Sequence, residues 1–470
     1  MDDAAAGDII YARGGLYDTD NTMMGYAPGN SWWLFIHLRD NYYDNNIEIA
    51  NGEEGNPITI RNYPGETPVL NGSNGVNISV QKSYWIISGF ELVGGMIDFP
   101  TCPAIDCSHD VVINNNDIHD LTIDGGGNPG LIRITRGDDH DFDGDGQHDM
   151  GHYNIFIYNN KLHRLFSTDS PLNTWDDKEG ALDSQHFGAI TVLSGDYYEG
   201  PGIGATGYIE AVGNEMYEVP MILFFKNPMG AADRTYLVRD NILHDSNSLG
   251  TMVSSHLTFE NNLAYNVRSG FGIGWDLDPQ SDEEALMTGT YITIRNNTFI
   301  DMRSLEYVNE IGGPTTTQES IKHTINHNIF VGLADDTSVY DDDSYSYIAK
   351  GYRLPDSVDD ADSYLHRINS DNNCFVSPLL KEDLGFVNRI YSVGANFERD
   401  IYSYEDAKTV FGYDANSTFI TPGEYPGCAG STAEDVLDCL VYELFTDPDS
   451  SDFSPKPGSS IPAGYGYEEN

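Results

Sequence analysis

The sharpest set of chemically capable residues in this 470-residue sequence is Asp141-Phe142-Asp143-Gly144-Asp145-Gly146-Gln147-His148-Asp149. Oxygen donors at loop positions 1, 3, 5 and 9, with a glycine at position 6 for the turn, match the opening of an EF-hand-type calcium loop. Asp141, Asp143, Asp145 and Asp149 are therefore the expected metal ligands, and calcium the expected cofactor. Position 12, which normally carries a bidentate Glu, is His152, so the loop is expected to be a shorter variant in which a structural calcium is favoured over a catalytic one.

A second set surrounds Lys226, which closes the apolar run Met221-Ile222-Leu223-Phe224-Phe225. An amine acts as a base only if burial or nearby cations lower its pKa, whereas a carboxylate such as Asp196 would raise it. Base and structural salt bridge are the two open readings. Arg234 and Arg239 follow closely and can grip a carboxylate through two parallel N–H bonds; for Arg239 the alternative is an outward strand residue with no such task. Trp275 offers a flat face to a sugar ring beside Asp276, Asp278, Asp282, Glu283 and Glu284, which form either a further cation site or a solvated acidic turn. Asp276 and Glu310 could provide the two carboxyls of a glycosidase, about 5–5.5 Å apart for retention or roughly 6.5–9.5 Å for inversion. His186 and His256 are candidate acids, while His119, His163 and His244 read as packing or surface residues.

These side chains need a scaffold, and the sequence supplies one by repetition. Short alternating runs that end in Asn recur: VVINNNDIHDL, YNIFIYNNKLHRL, YIEAVGNEMYEV, YLVRDNILHDS, HLTFENNLAYNV, YITIRNNTFIDM, HTINHNIFVGL and RINSDNNCFV. Each predicts a strand, a tight corner and a second strand. The corners fall at Asn116, Asn160, Asn214, Asn241, Asn262, Asn297, Asn328 and Asn373, with Gly89 at an earlier one. Asn tolerates the left-handed backbone region, and stacked Asn side chains can hydrogen-bond from coil to coil. Corner spacing runs from 21 residues (Asn241 to Asn262) to 54 (Asn160 to Asn214), as in a solenoid with loop insertions. Another apolar run precedes each pair, giving three strands per coil; these first strands include 131–135, 189–193, 221–226, 250–254, 270–275 and 305–310. Their ends place Arg136, Asp196, Lys226, His256, Asp276 and Glu310 near one line, and strands about 4.8 Å apart would bring Asp196 beside Lys226. The insertions 137–152, 196–207, 227–234 and 276–289 would wall that face.

The fold class read from this pattern is all-β: a right-handed parallel β-helix over residues 1–380, with a capping segment over 381–470. The chain resembles the superfamily of such helices that includes pectate lyases, alginate lyases and chondroitinase B. The resemblance rests on Gly7-Asp8-Ile9-Ile10-Tyr11-Ala12-Arg13-Gly14-Gly15-Leu16-Tyr17, Asn56-Pro57-Ile58-Thr59-Ile60, Tyr63-Pro64-Gly65-Glu66-Thr67-Pro68-Val69-Leu70 and the closing Asp452-Phe453-Ser454-Pro455-Lys456-Pro457-Gly458-Ser459-Ser460. It implies a glycan groove along the first strands, with Arg136, Asp196, Trp275 and Arg239 contacting the sugar. It also implies a polysaccharide lyase in which Lys226 is the base, assisted by Arg234 or His256. A glycoside hydrolase using Asp276 and Glu310, or a non-catalytic glycan-binding helix, are the alternatives.

A formal net charge of -50, from 74 acidic and 24 basic residues, excludes a nucleic-acid partner, which needs a basic footprint. It equally disfavours an anionic membrane surface and is read as solubility in a salty medium or as many cation sites. No run approaches the ~18 apolar residues of a membrane span. The expected partner is a polysaccharide met by a secreted monomer. The chain opens Met1-Asp2-Asp3-Ala4, read as a mature form whose export signal has been removed. Cys102 with Cys107 and Cys428 with Cys439 are candidate disulfides, and Cys374 a buried thiol.

Overall fold

A computed structural model describes residues 3–18, 36–38, 48–100, 107–123, 129–135, 152–167, 187–193, 207–226, 235–253, 256–273, 291–300, 302, 305–309, 322–332, 349–354, 368–377, 385–393, 396–421, 425, 427–428, 433–450 and 452–468. The chain divides into two compact units, Met1–Leu237 and Val238–Asn470. Each is a parallel β-helix.

In the first unit, three columns of strands repeat from coil to coil. The strands preceding the Asn corner include Ile58–Asn62, Trp85–Ser88, His109–Asn114, Tyr153–Tyr158 and Ile209–Val212, each parallel to the next. Those after the corner are the start of Glu91–Phe99, then Asp117–Ile123, Lys161–Ser167 and Glu215–Tyr217. The first-strand column is the end of Glu91–Phe99, then Gly130–Ile134, Gly188–Leu193 and Met221–Lys226. Alternation drives the coiling: Val111, Ile113, Ile155 and Ile157 point inward and are fully buried while their neighbours are partly exposed. No single coil could bury such a face alone, so stacking supplies the core.

The corner separates two tasks that the sequence reading assigned to one residue. The left-handed backbone falls on the preceding position, at Asn115 (φ 54), Asn159 (φ 53) and Gly213 (φ 67) in this unit and at Asn261, Asn296, His327 and Asn372 in the other. Gly89 (φ 77) occupies that same place. The hydrogen-bond ladder belongs to the following residue. Asn116 Nδ2 donates to Asn160 Oδ1 at 3.0 Å, and Asn160 Nδ2 to Asn214 Oδ1 at 3.1 Å, while each also donates to a backbone carbonyl, that of Ile87 or Ile113. Phe90 begins the column by donating its backbone N–H to Asn116.

In the second unit the ladder runs Asn241, Asn262, Asn297, Asn328, Asn373 and ends on Asp414, whose Oδ1 accepts from Asn373 at 2.9 Å. Behind it Phe299, Phe330, Phe375 and Phe419 stack along the core with centroids 4.9–5.2 Å apart. The outward positions of the post-corner strands are apolar here, among them Leu263, Ile329, Val331, Val376 and Ile420. Leu440, Leu444, Phe445, Phe453, Ile461 and Tyr467 of the C-terminal segment cover them. That segment contains the helix Ala433–Leu444, stapled by the disulfide Cys428–Cys439. Cys107 and Cys374 are buried, and Cys102 lies outside the described residues. Among the described residues no helix is long and apolar enough to cross a membrane.

Candidate functional site

The first-strand sheet of the first unit carries a row of outward positions fixed by register: Asp98, Arg133, Thr191 and Phe224. The flanking Ile132 and Ile134 turn inward and are fully buried, so Arg133 must face out. Arg133 Nε donates to Asp98 Oδ1 at 2.7 Å, and the carboxylate is almost wholly buried (5% exposed) while the guanidinium keeps 22% exposure. Burial works against the Arg133 charge, but the attraction and hydrogen bond of Asp98 outweigh it and raise the pKa above its usual value. The Nη groups make no hydrogen bond to another described residue. The result is a positioned, permanently charged fork in a strongly acidic chain, able to take a carboxylate.

Sequence reading passed over Arg133 because it is one polar residue inside the apolar run Leu131–Ile134; only its stacking on Asp98 distinguishes it. Further along the row Thr191 and Phe224 are buried, with Thr191 Oγ1 donating to the Pro129 carbonyl at 2.8 Å. Of the four, only Arg133 keeps appreciable exposure.

Lys226 ends its strand in register with Leu193, and its side chain lies outside the described residues. Arg136, Asp196, Arg234, Trp275, Asp276 and Glu310, with the loop ligands Asp141, Asp143, Asp145 and Asp149, lie outside the described residues. His186 does too. Two predicted residues are visible in the second unit. His256 opens the strand His256–Glu260 and pairs with Tyr291, so it belongs to the column before the Asn corner and not to the end of a first strand. Arg239 donates through Nη1 to Asp240 at 2.5 Å, consistent with the outward structural alternative.

His152, the twelfth residue from Asp141, is fully buried against Phe99 with its Nε2 3.0 Å from the Pro100 carbonyl oxygen. Burial lowers its pKa to about 4, against the raising influence of that carbonyl and of Asp98. It is a neutral packing residue.

One group of described residues has the makings of a metal centre. Asp117, His119 and His163 each bring one ligand atom within 4.8 Å of the others. They occupy the outward positions of the post-corner strands, where register aligns Glu91, Asp117, Lys161 and Glu215 in one column and Val93, His119, His163 and Tyr217 in the next. The sequence reading left His119 and His163 as packing or surface. Their common offset, three residues after Asn116 and Asn160, was the available signal.

No family model matches this chain, and no curated protein matches it. Solved structures with similarity include a mannuronic-acid-specific family 6 polysaccharide lyase from human gut microbiota, at 13% identity and TM-score 0.38, covering 94% of this chain and 90% of that one. A family 6 alginate lyase, AlyGC, matches at 13% identity and TM-score 0.36 over 88% of this chain, and pectate lyase Pel9A at 13% and 0.37 over 70% of this chain and 69% of its own. The chain spans about half of AlyGC, 54% of its length.

Proposed function

We propose that this chain is a secreted, calcium-binding polysaccharide lyase that cleaves a uronate-containing glycan by β-elimination. The observation that supports it is the guanidinium of Arg133, held by Asp98 on the outward face of the first-strand sheet two strands from the one that Lys226 closes. β-Elimination requires neutralisation of the uronate carboxylate so that the C5 proton becomes removable, then a base for that proton, then a proton for the departing O4. Arg133 suits the first task. Lys226 is assigned the second: its amine takes the C5 proton, the C–H electron pair forms the C4=C5 double bond, and the C4–O4 bond breaks. Arg234 steadies the departing O4, which takes its proton from water, and Arg136 and Asp196 bind flanking sugars. Calcium at Asp141, Asp143, Asp145 and Asp149 stiffens the loop beside the groove and offsets the negative field a polyanion would meet.

The test is incubation with uronate and neutral polysaccharides, following both unsaturated-uronate absorbance and new reducing ends. The expected result is both signals on a uronate polymer, with Lys226→Ala reducing turnover at least ~10³-fold and Arg133→Ala raising KM. Reducing ends without the absorbance would remove the lyase reading and transfer the chemistry to the carboxyl pair Asp276 and Glu310. A calcium chelator is expected to lower the melting temperature, and an unchanged melt would defeat the loop assignment.

A further inference from the structure

We propose that Asp117, His119 and His163 form a binding site for zinc or a similar transition-metal ion on the outward face of the post-corner strands, separate from the glycan groove and unlike a calcium site in its ligands. Two imidazole nitrogens and one carboxylate oxygen suit zinc, nickel, copper or cobalt, whereas calcium and magnesium take oxygen donors.

The second shell prepares the ligands. His119 Nδ1 lies 2.8 Å from Asp120 Oδ2, and Asp120 Oδ1 accepts from Arg164 Nε at 2.8 Å. That anchored carboxylate holds the proton on Nδ1 and leaves the Nε2 lone pair for a cation, the arrangement that orients metal-bound histidines. Asp120 sits in left-handed backbone (φ 57), which brings its carboxylate back beside the preceding ring. The His163 ring is clamped between those of His119 and Tyr217, at 4.9 and 4.6 Å with interplanar angles of 16° and 9°. Its Nε2 stands 2.9 Å from Asp117 Oδ1, and Glu91 Oε1 is 3.5 Å from His119 Nε2, a further carboxylate within reach. Lys161, the nearby cation in the column, turns toward Glu215 at 3.4 Å and lies over the Tyr217 ring. Donors around tetrahedral zinc at about 2.1 Å lie roughly 3.4 Å apart. The ligand atoms, within 4.8 Å of one another, need shift by little more than an ångström.

One feature limits the affinity. His163 Nδ1 is buried with no hydrogen-bond partner among the described residues. A metal on Nε2 forces the proton onto Nδ1, and an unsatisfied N–H weakens binding by about 10- to 100-fold. Micromolar affinity is expected for that reason.

The experiment is calorimetric titration of chelator-stripped full-length protein with zinc chloride near neutral pH, repeated with tenfold excess calcium. The wild type is expected to take one micromolar equivalent that calcium does not displace, with a rise in melting temperature. His119→Gln, His163→Gln and Asp117→Asn are each expected to weaken that equivalent at least tenfold. Absence of a micromolar equivalent, its displacement by calcium, or its persistence in the variants would overturn the site. Asp117 is half exposed, with 44% of its side chain accessible, so Asp117→Asn decides the matter even if a histidine variant fails to fold.

Discussion

At the scale of single residues, Asp414 shows how a buried acid can serve the fold at a cost that depends on pH. It ends the Asn ladder of the second unit, accepting from Ser370 at 2.7 Å, Asn373 at 2.9 Å and Ser417 at 2.6 Å. Burial raises its pKa from 3.8 to about 6, and the three hydrogen bonds only partly oppose that rise. The folded chain therefore holds this proton more tightly than the unfolded one. The associated stability is fully present below the unfolded pKa and is lost as pH rises through the folded value, amounting to about 3 kcal/mol across the window. Asp414→Asn removes the titration. Denaturant unfolding of both proteins between pH 3.5 and 7.5 should show the variant gaining on the wild type as pH rises through about 4 to 6. A constant difference would mean that Asp414 does not hold the proton.

At the scale of strands and turns, the repeat was legible because its local grammar is constant although its spacing is not. An apolar alternation, a two-residue corner ending in Asn and a second alternation recur at Asn116, Asn160 and Asn214 regardless of what lies between. What could not be read was which of two adjacent asparagines bends the chain and which builds the ladder, since both roles favour the same residue type. The first strands were found for a similar reason, yet the residues that face outward from them, Arg133 and Thr191, are set by register across coils and not by anything adjacent in sequence. The Asp117, His119 and His163 group spans coils in the same way. Substitution distinguishes the two corner roles. Asn160→Ala strips a donor from the Ile113 carbonyl and an acceptor from the Asn116 N–H, both buried. Each orphaned group costs about 1–3 kcal/mol, so a loss near 3 kcal/mol or more is expected. Asn159→Gly, one residue earlier in left-handed backbone, should change stability by less than about 1 kcal/mol. Equal effects in chemical denaturation would contradict the division of labour.

At the scale of the whole chain, the charge balance sets the terms. Inward columns are apolar, so the net charge of -50 is carried by surfaces and loops. The outward post-corner positions show how local chemistry follows cover: polar in the first unit, apolar beneath the C-terminal segment in the second. Two explanations of the acidity were open from composition, screening by salt and occupation by cations, and they respond differently to ions. Repulsion among like charges opposes the compact state and weakens as the Debye length falls from about 10 Å at 0.1 M to about 3 Å at 1 M. If self-repulsion dominates, the melting temperature should climb steadily from low salt to 1 M sodium chloride, equally with potassium chloride. Millimolar calcium added at 1 M salt should then contribute little. If discrete sites dominate, monovalent salt leaves the melt nearly flat, and calcium raises it at concentrations too low to alter screening, as linkage to a specific ion requires. A scanning series with both salts and a calcium arm reads this directly. The screening account expects the monovalent slope to be the larger effect, and a flat monovalent series would refute it.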